Sequence, residues 1–350
     1  MMQVFPARAR WLVLLSLLPL CCCGGNSGPV DGKAALAHVE RLVGFGPRPA
    51  GSAELGKATD YLVAELQKLG LQPQRQEFTP DGEQIGLRNV WVQIDGEDPQ
   101  HGPILCLGAH YDTKLADGKD GRPPIRFVGA IDGGGAPAVL LELAQVLVKQ
   151  RQPKVNVWLL FLDGEESIAW EWNDKRALLG SRYFVATMNQ DKARFPAGLK
   201  ARLQAFVLLD LIGDKNIKID RDGNSNPALQ KIFEQAAQAI GESARMYRHP
   251  TSQEIAQATQ RGSNWGTIDD HMSFANFGIP SVLLIDFALR IPPSLQKVPR
   301  GQQPETDPAY AQWWHTAADD LDKMSAAALA FTGYLVVQAL PELEAFCRKK

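Results

Sequence analysis

Runs of apolar residues, each closed by a polar or charged residue, recur between residues 104 and 210 of the chain. Residues 104–109 (Ile-Leu-Cys-Leu-Gly-Ala), 155–162 (Val-Asn-Val-Trp-Leu-Leu-Phe-Leu) and 205–209 (Ala-Phe-Val-Leu-Leu) are continuous enough to be strands buried on both faces. Shorter strands are predicted over 89–94 and 281–286. Between them the spacing changes to that of helices. Leu55, Ala58, Leu62, Leu66 and Leu69 recur every three to four residues and predict a helix over 53–69, ended by Gly70. The same reading predicts helices over 34–43, 136–150, 178–188 and 227–240, with a last one over 324–346. Strands alternating with helices imply a largely parallel sheet covered on both faces, and the chain shows neither an internal repeat nor a second domain.

The residues that close the strand-like runs carry the chemistry. His110 follows the first, the turn Asp163-Gly164-Glu165-Glu166 the second and Asp210 the third. In open α/β sheets, ligands bind beyond the carboxyl ends of the strands, so these side chains converge at one sheet edge. Of these, His110, Glu166 and Asp210 join Asp132 and His315 in a set of five metal-capable side chains, and their mixture of imidazole and carboxylate suits zinc. Asp132, Glu166 and His315 would supply three ligands to one ion. His110 and Asp210 would serve a second, with Asp132 bridging. Glu165, beside a ligand but outside the set, is the candidate general acid/base. Around Asp132 the glycines of Gly129-Ala130-Ile131-Asp132-Gly133-Gly134-Gly135 permit close backbone approach, and Pro137 suits a first helical turn. Singly, each residue also has an ordinary reading: Asp210 as a turn cap, Asp269-Asp270-His271 as a helix start with a carboxylate N-cap.

A chain of 350 residues, 45 % hydrophobic and with a formal net charge of −2, has neither a basic excess nor an acidic tail, which argues against a nucleic-acid partner. Its first residues predict export. Arg8 and Arg10 precede the apolar run 11–20, too short to span a bilayer. The triplet Cys21-Cys22-Cys23 then precedes a small polar tract. We read 1–23 as a signal peptide ending in a lipoprotein-type cysteine, 24–33 as a flexible tether and 34–350 as one catalytic domain. That places the protein in a bacterial cell envelope, anchored to the membrane by an N-terminal lipid and facing the periplasm; ordinary cleavage to a soluble periplasmic or secreted protein is the alternative. The remaining cysteines, Cys106 in a predicted buried strand and Cys347 near the C-terminus, could pair, but nothing in the sequence supports a disulfide between them.

The chain resembles the zinc aminopeptidase superfamily and, within it, the glutaminyl-peptide cyclotransferases, from about Phe45 to Val337. The resemblance rests on Gly46-Pro47-Arg48 with Gly51-Ser52, Ala109-His110-Tyr111-Asp112, Phe127-Val128-Gly129-Ala130 with Asp132, Leu140-Leu141-Glu142-Leu143-Ala144 and Asp163-Gly164-Glu165-Glu166. It continues through Gly180-Ser181-Arg182, Leu208-Leu209-Asp210-Leu211-Ile212-Gly213, Asp269-Asp270-His271 and Trp314-His315-Thr316. It implies a three-layer α/β/α domain around a mixed, mostly parallel sheet. It also implies one zinc on Asp132, Glu166 and His315, and a proton shuttle at Glu165 in a hydrogen-bonded set with Asp210 and Asp269. Trp172 and Trp314 would line the pocket, and the substrates would be N-terminal Gln residues of peptides or proteins, cyclised to pyroglutamate with loss of ammonia.

Three departures bear on substrate choice. Leu283 stands where animal cyclases carry a histidine, an extra residue between Glu166 and Trp172 makes Trp170 a competitor for its pocket position, and the loop 289–312 is longer than the family's usual connection. A zinc aminopeptidase with one or two ions is the alternative activity. A non-catalytic binding module on the same fold would be expected to have lost Glu165 or a ligand, and none is lost.

Overall fold

The computed structural model describes residues 28–118, 124–150, 152–246, 266–286 and 313–349. The expected export segment, the cysteine triplet and the loop 289–312 lie outside the described residues.

Six strands form one sheet: β1 (Gln74–Phe78), β2 (Leu87–Ile94), β3 (Ile104–His110), β4 (Asn156–Leu162), β5 (Leu203–Asp210) and β6 (Ser281–Ile285), in the spatial order β1-β2-β4-β3-β5-β6. β4, β3, β5 and β6 run parallel, and β1 and β2 add an antiparallel edge. The sheet is therefore mixed and mostly parallel. β1 had no counterpart in the hydrophobic pattern. Its residues are mostly polar and only Phe78 is buried, because an edge strand has one neighbour and a largely solvated surface.

The helices are α1 (Gly32–Gly44), α2 (Ala53–Lys68), α3 (Ala136–Lys149), α4 (Leu179–Gln190), α5 (Pro227–Ala239), α6 (His271–Asn276) and α7 (Ala326–Arg348). Their starts follow from capping chemistry. Asp31, Ser52, Asn226 and Ser325 accept the free N–H groups of the first turns of α1, α2, α5 and α7. α1, α3, α5 and α7 pack against one another on one face of the sheet. α4 and α6 cover the other, where Trp91, Trp158, Phe184, Phe206 and Phe274 interlock. α3 is apolar nearly all round because it is buried nearly all round.

One expectation needs adjusting. The flexible tether expected over 24–33 ends sooner, since Val30 is buried beside Gly333 and α1 already begins at Gly32. Cys106 and Cys347 are both buried free thiols.

Every parallel strand points its carboxyl end towards the same edge of the sheet. His110 and Asp210 are the last residues of β3 and β5, and Asp163 follows the last residue of β4. Strand connectivity alone thus assembles side chains that lie far apart in sequence.

Candidate metal centre

Asp132 owes its position to a break in the backbone just before α3. It is extended (φ −87°, ψ 98°), and Gly133 then turns through φ 86°. A side chain at Gly133 would collide with the carbonyl of Asp112, and one at Gly135 with that of Ile212. The glycines therefore let backbone approach backbone, which swings Asp132 out of the helical line. Asp319 fixes the result, its Oδ1 accepting the Ile131 N–H at 2.7 Å and its Oδ2 the Asp132 N–H at 3.0 Å.

The turn after β4 is held in a similar way. Asp163 Oδ2 accepts the Arg88 N–H at 2.7 Å, and the two oxygens of Asp112 accept the N–H groups of Glu165 (3.3 Å) and Glu166 (3.2 Å). These contacts point the Glu166 side chain at His315, whose Nε2 lies 3.0 Å from Glu166 Oε1 and 3.5 Å from Asp132 Oδ2. His315 itself adopts a left-handed backbone (φ 54°). So does Leu211, directly after Asp210, at φ 49°. For a residue other than glycine this conformation costs on the order of 1–2 kcal/mol, and such strain concentrates at functional sites.

Asp132, Glu166 and His315 bring one ligand atom each to within 4.8 Å of one another, and His110, Asp132 and Asp210 form a second such group sharing Asp132. His110 Nε2 lies 2.9 Å from Asp210 Oδ1 and 3.3 Å from Asp132 Oδ1. Asp132 Oδ2 is buried and accepts no hydrogen bond. A buried carboxylate oxygen left bare, facing an imidazole and a second carboxylate, fits a cation. This donor set suits zinc.

Charge is unevenly balanced across the site. Burial pushes Glu166 up, but His315 and Lys114 outweigh it and hold the carboxyl at about 2. Lys114 is only 2 % exposed, with Nζ 3.3 Å from Glu166 Oε2. Asp132 goes the other way, to about 6, through burial and the neighbouring charge of Glu166. Glu165 and Asp269 are both held well above the usual carboxylate range, first by burial, then by the charge of Asp269 on Glu165 and of Asp210 on Asp269. The charges of Glu165 and Asp269, and of Asp269 and Asp210, thus oppose one another, but among the described residues no hydrogen bond joins the three into the expected set.

The dull readings are partly realised. Asp210 Oδ1 does accept the next N–H, of Leu211, at 2.6 Å, besides facing His110. α6 does begin at His271, yet no side chain caps it. Asp269 Oδ2 and both oxygens of Asp270 are instead buried without hydrogen-bond partners.

Of the aromatic residues, Trp314 stacks on His315 with ring centroids 3.7 Å apart, and Phe127 and Trp170 approach the same ring at 5.7 and 6.4 Å. Trp172 is 41 % exposed and donates from Nε1 to Asp174. The ring brought to His315 from the loop after Glu166 is therefore that of Trp170. Sequence reasoning also gave no role to Lys114, Asp112 or Asp319. Asp112 lay inside a recognised segment, but the other two carry no local signal, since they act on backbone and side chains remote in sequence.

A family model described as Peptidase family M28 matches residues 89–340, which include every ligand candidate from His110 to His315. The chain is 33 % identical over 258 residues to a glutaminyl-peptide cyclotransferase-like protein of Mus musculus, an alignment covering 68 % of this chain and 62 % of that protein, less than two thirds of its length. A protein of the same description from Bos taurus is 31 % identical over 299 residues, covering 74 % of this chain and 71 % of the relative. Among solved structures, a glutaminyl cyclase from an Acidobacteriales bacterium matches with a TM-score of 0.71 at 28 % identity, covering 93 % of this chain and 98 % of that one.

Proposed function

This chain belongs to Peptidase family M28, in its glutaminyl-peptide cyclotransferase branch, and we propose that it converts an N-terminal Gln of peptides or proteins to pyroglutamate with release of ammonia. The observation that carries the reading is the convergence of Asp132, Glu166 and His315 with buried Glu165 directly beside them. We assign Asp132, Glu166 and His315 to one zinc ion. Zinc bound there would supply Lewis-acid polarisation of the substrate's side-chain carbonyl.

The chain's own residues do the rest. Glu165 takes a proton from the peptide's α-amine as the amine nitrogen attacks the side-chain carbonyl carbon. The C–N bond to the amide nitrogen breaks, and Glu165 returns the proton to the departing ammonia. Asp269 sets a further carboxylate against Glu165, with Asp210 acting in turn on Asp269, and the pair steadies its proton. Trp314 and Trp170 offer apolar walls for the methylenes of Gln, favouring the folded shape from which the ring closes. Product analysis on a Gln-initiated peptide tests this directly, since cyclisation releases ammonia and leaves the peptide at full length.

One observation favours a second reading. His110, Asp132 and Asp210 form another cation-sized group sharing Asp132. With both groups filled by zinc, the site would suit an aminopeptidase in which Glu165 takes a proton from the water attacking the first peptide bond. For location, the apolar run 11–20 and the cysteine triplet support export to a bacterial cell envelope with lipid attachment.

A further inference from the structure

We propose that Arg48 and Asp319 are positioning residues that hold Asp132 at the metal centre by gripping the backbone around it from its two polar sides. The inference rests on the metal reading above.

Arg48 lies in the Gly46-Pro47-Arg48 segment, for which the proposed chemistry has no use. Its side chain is fully buried, yet among the described residues every hydrogen-bond acceptor recorded for it is a backbone carbonyl. Three of these carbonyls flank Asp132: Nη1 donates to Val128 at 2.8 Å, and Nη2 to Gly129 at 3.1 Å and Gly133 at 3.3 Å. Burial lowers the guanidinium to about 10 against the opposing pull of Asp319, Asp112 and Asp132, so it stays charged at neutral pH. A buried cation is costly, and simple packing at this position would be better served by an apolar side chain.

Asp319 grips the N–H side of the same segment. Three consecutive N–H groups end on it, that of Ala130 on its main-chain carbonyl at 3.4 Å and those of Ile131 and Asp132 on its carboxylate. The loop's carbonyls thus face the Arg48 guanidinium, and its N–H groups the acceptor oxygens of Asp319.

Each grip also reaches another ligand-bearing segment. Asp319 belongs to the turn that carries His315, through Asp319 N–H to Thr316 and Thr316 N–H to Trp313. Arg48 exchanges two bonds with Thr113, its N–H donating to Thr113 Oγ1 at 2.8 Å and its carbonyl accepting the Thr113 N–H at 3.0 Å. Next to Thr113 stands Asp112, which holds the N–H groups of Glu165 and Glu166. One network therefore joins the segments of all three proposed ligands through Asp132. Groups that orient a ligand from outside typically change metal affinity by roughly 10–100-fold.

The test compares zinc affinity, by competition with a chelator, with the thermal unfolding of the zinc-free protein. Asp319→Asn keeps the shape and one acceptor oxygen but sets an amide N–H against a backbone N–H. We expect zinc affinity to fall roughly 10–100-fold, the range for outer partners of metal ligands, while zinc-free unfolding shifts little. Arg48→Lys, which keeps the charge but loses the multi-carbonyl grip, should do the same and carries the test if Asp319→Asn fails to fold. Wild-type zinc affinity in either folded variant, whatever its melting temperature, overturns the proposal, as does failure of both to fold in excess zinc. His315→Ala separates the positioning role from metal binding itself. If it loses zinc while Asp319→Asn keeps it, only the positioning role falls; if it too retains full zinc, the metal reading falls and this proposal with it.

Discussion

Lys114 Nζ lies 3.3 Å from Glu166 Oε2, while the other oxygen of that carboxylate, Oε1, faces His315 Nε2 at 3.0 Å. The two oxygens of the Glu166 carboxylate therefore face different partners, Lys114 on one side and His315 on the other. Lys114→Met should destabilise the zinc-free protein by about 3 kcal/mol, the lower end for breaking a buried pair because His315 remains. With zinc present the loss should be smaller, since the ion takes over the balancing charge. Urea unfolding with and without zinc checks this, and an equal loss in both states would show that Lys114 is not the counter-ion.

Glu165 shares its turn with Glu166, yet the proposed chemistry gives it a proton rather than a metal. Glu165→Gln should keep full zinc content and lose roughly 10²–10⁴-fold in kcat, as expected for removal of a general acid/base. Zinc analysis beside single-turnover kinetics separates the two. A variant turning over at the wild-type rate would remove Glu165 from the mechanism.

Trp170 and Trp172 lie two residues apart in sequence but in different surroundings, one beside His315 and the other solvated and bonded to Asp174. Trp170→Ala should raise KM for a Gln-initiated peptide, whereas Trp172→Ala should alter it much less. Steady-state kinetics on the pair decides between them, and the reverse order would restore Trp172 as the pocket wall.

The segment leading to Asp269 is anchored by Asp222, which accepts the Thr267 N–H at 2.7 Å and the Ser225 hydroxyl at 2.7 Å and lies 3.3 Å from His271 Nε2. Burial raises the Asp222 carboxyl, but His271, Ser225 and Thr267 outweigh it and hold it below the ordinary value. A carboxylate with a depressed folded-state value contributes stability that is complete above the unfolded-state value of about 4 and is lost as pH falls through the folded one. Asp222→Asn should therefore lower stability at neutral pH and flatten its acid dependence below about pH 4. Parallel acid dependence in mutant and wild type would contradict this linkage.

The parallel core was legible because strands buried on both faces read as uninterrupted apolar runs, and β3, β4 and β5 stand where those runs lie. β1 was not legible, since Gln74 to Glu77 are polar and its pairing with β2 leaves no hydrophobic trace. The same contrast holds at the site. His110 and Asp210 end strands and Glu166 sits in the turn after one, and so they announce themselves. Asp319 and Lys114 act across long sequence separations, on a loop and a side chain whose positions only the folded chain defines. The irregular loop after Glu166 has no periodicity, so spacing alone had no means of choosing between Trp170 and Trp172.

The most direct measurement loads purified protein with zinc and offers it two peptides, one beginning with Gln and one with Leu, following products by mass. A cyclase will remove the mass of ammonia from the Gln peptide while keeping every residue, and will leave the Leu peptide unchanged. Release of the first residue from the Leu peptide, with the Gln peptide left uncyclised, would contradict the cyclase reading and make the centre that of an aminopeptidase.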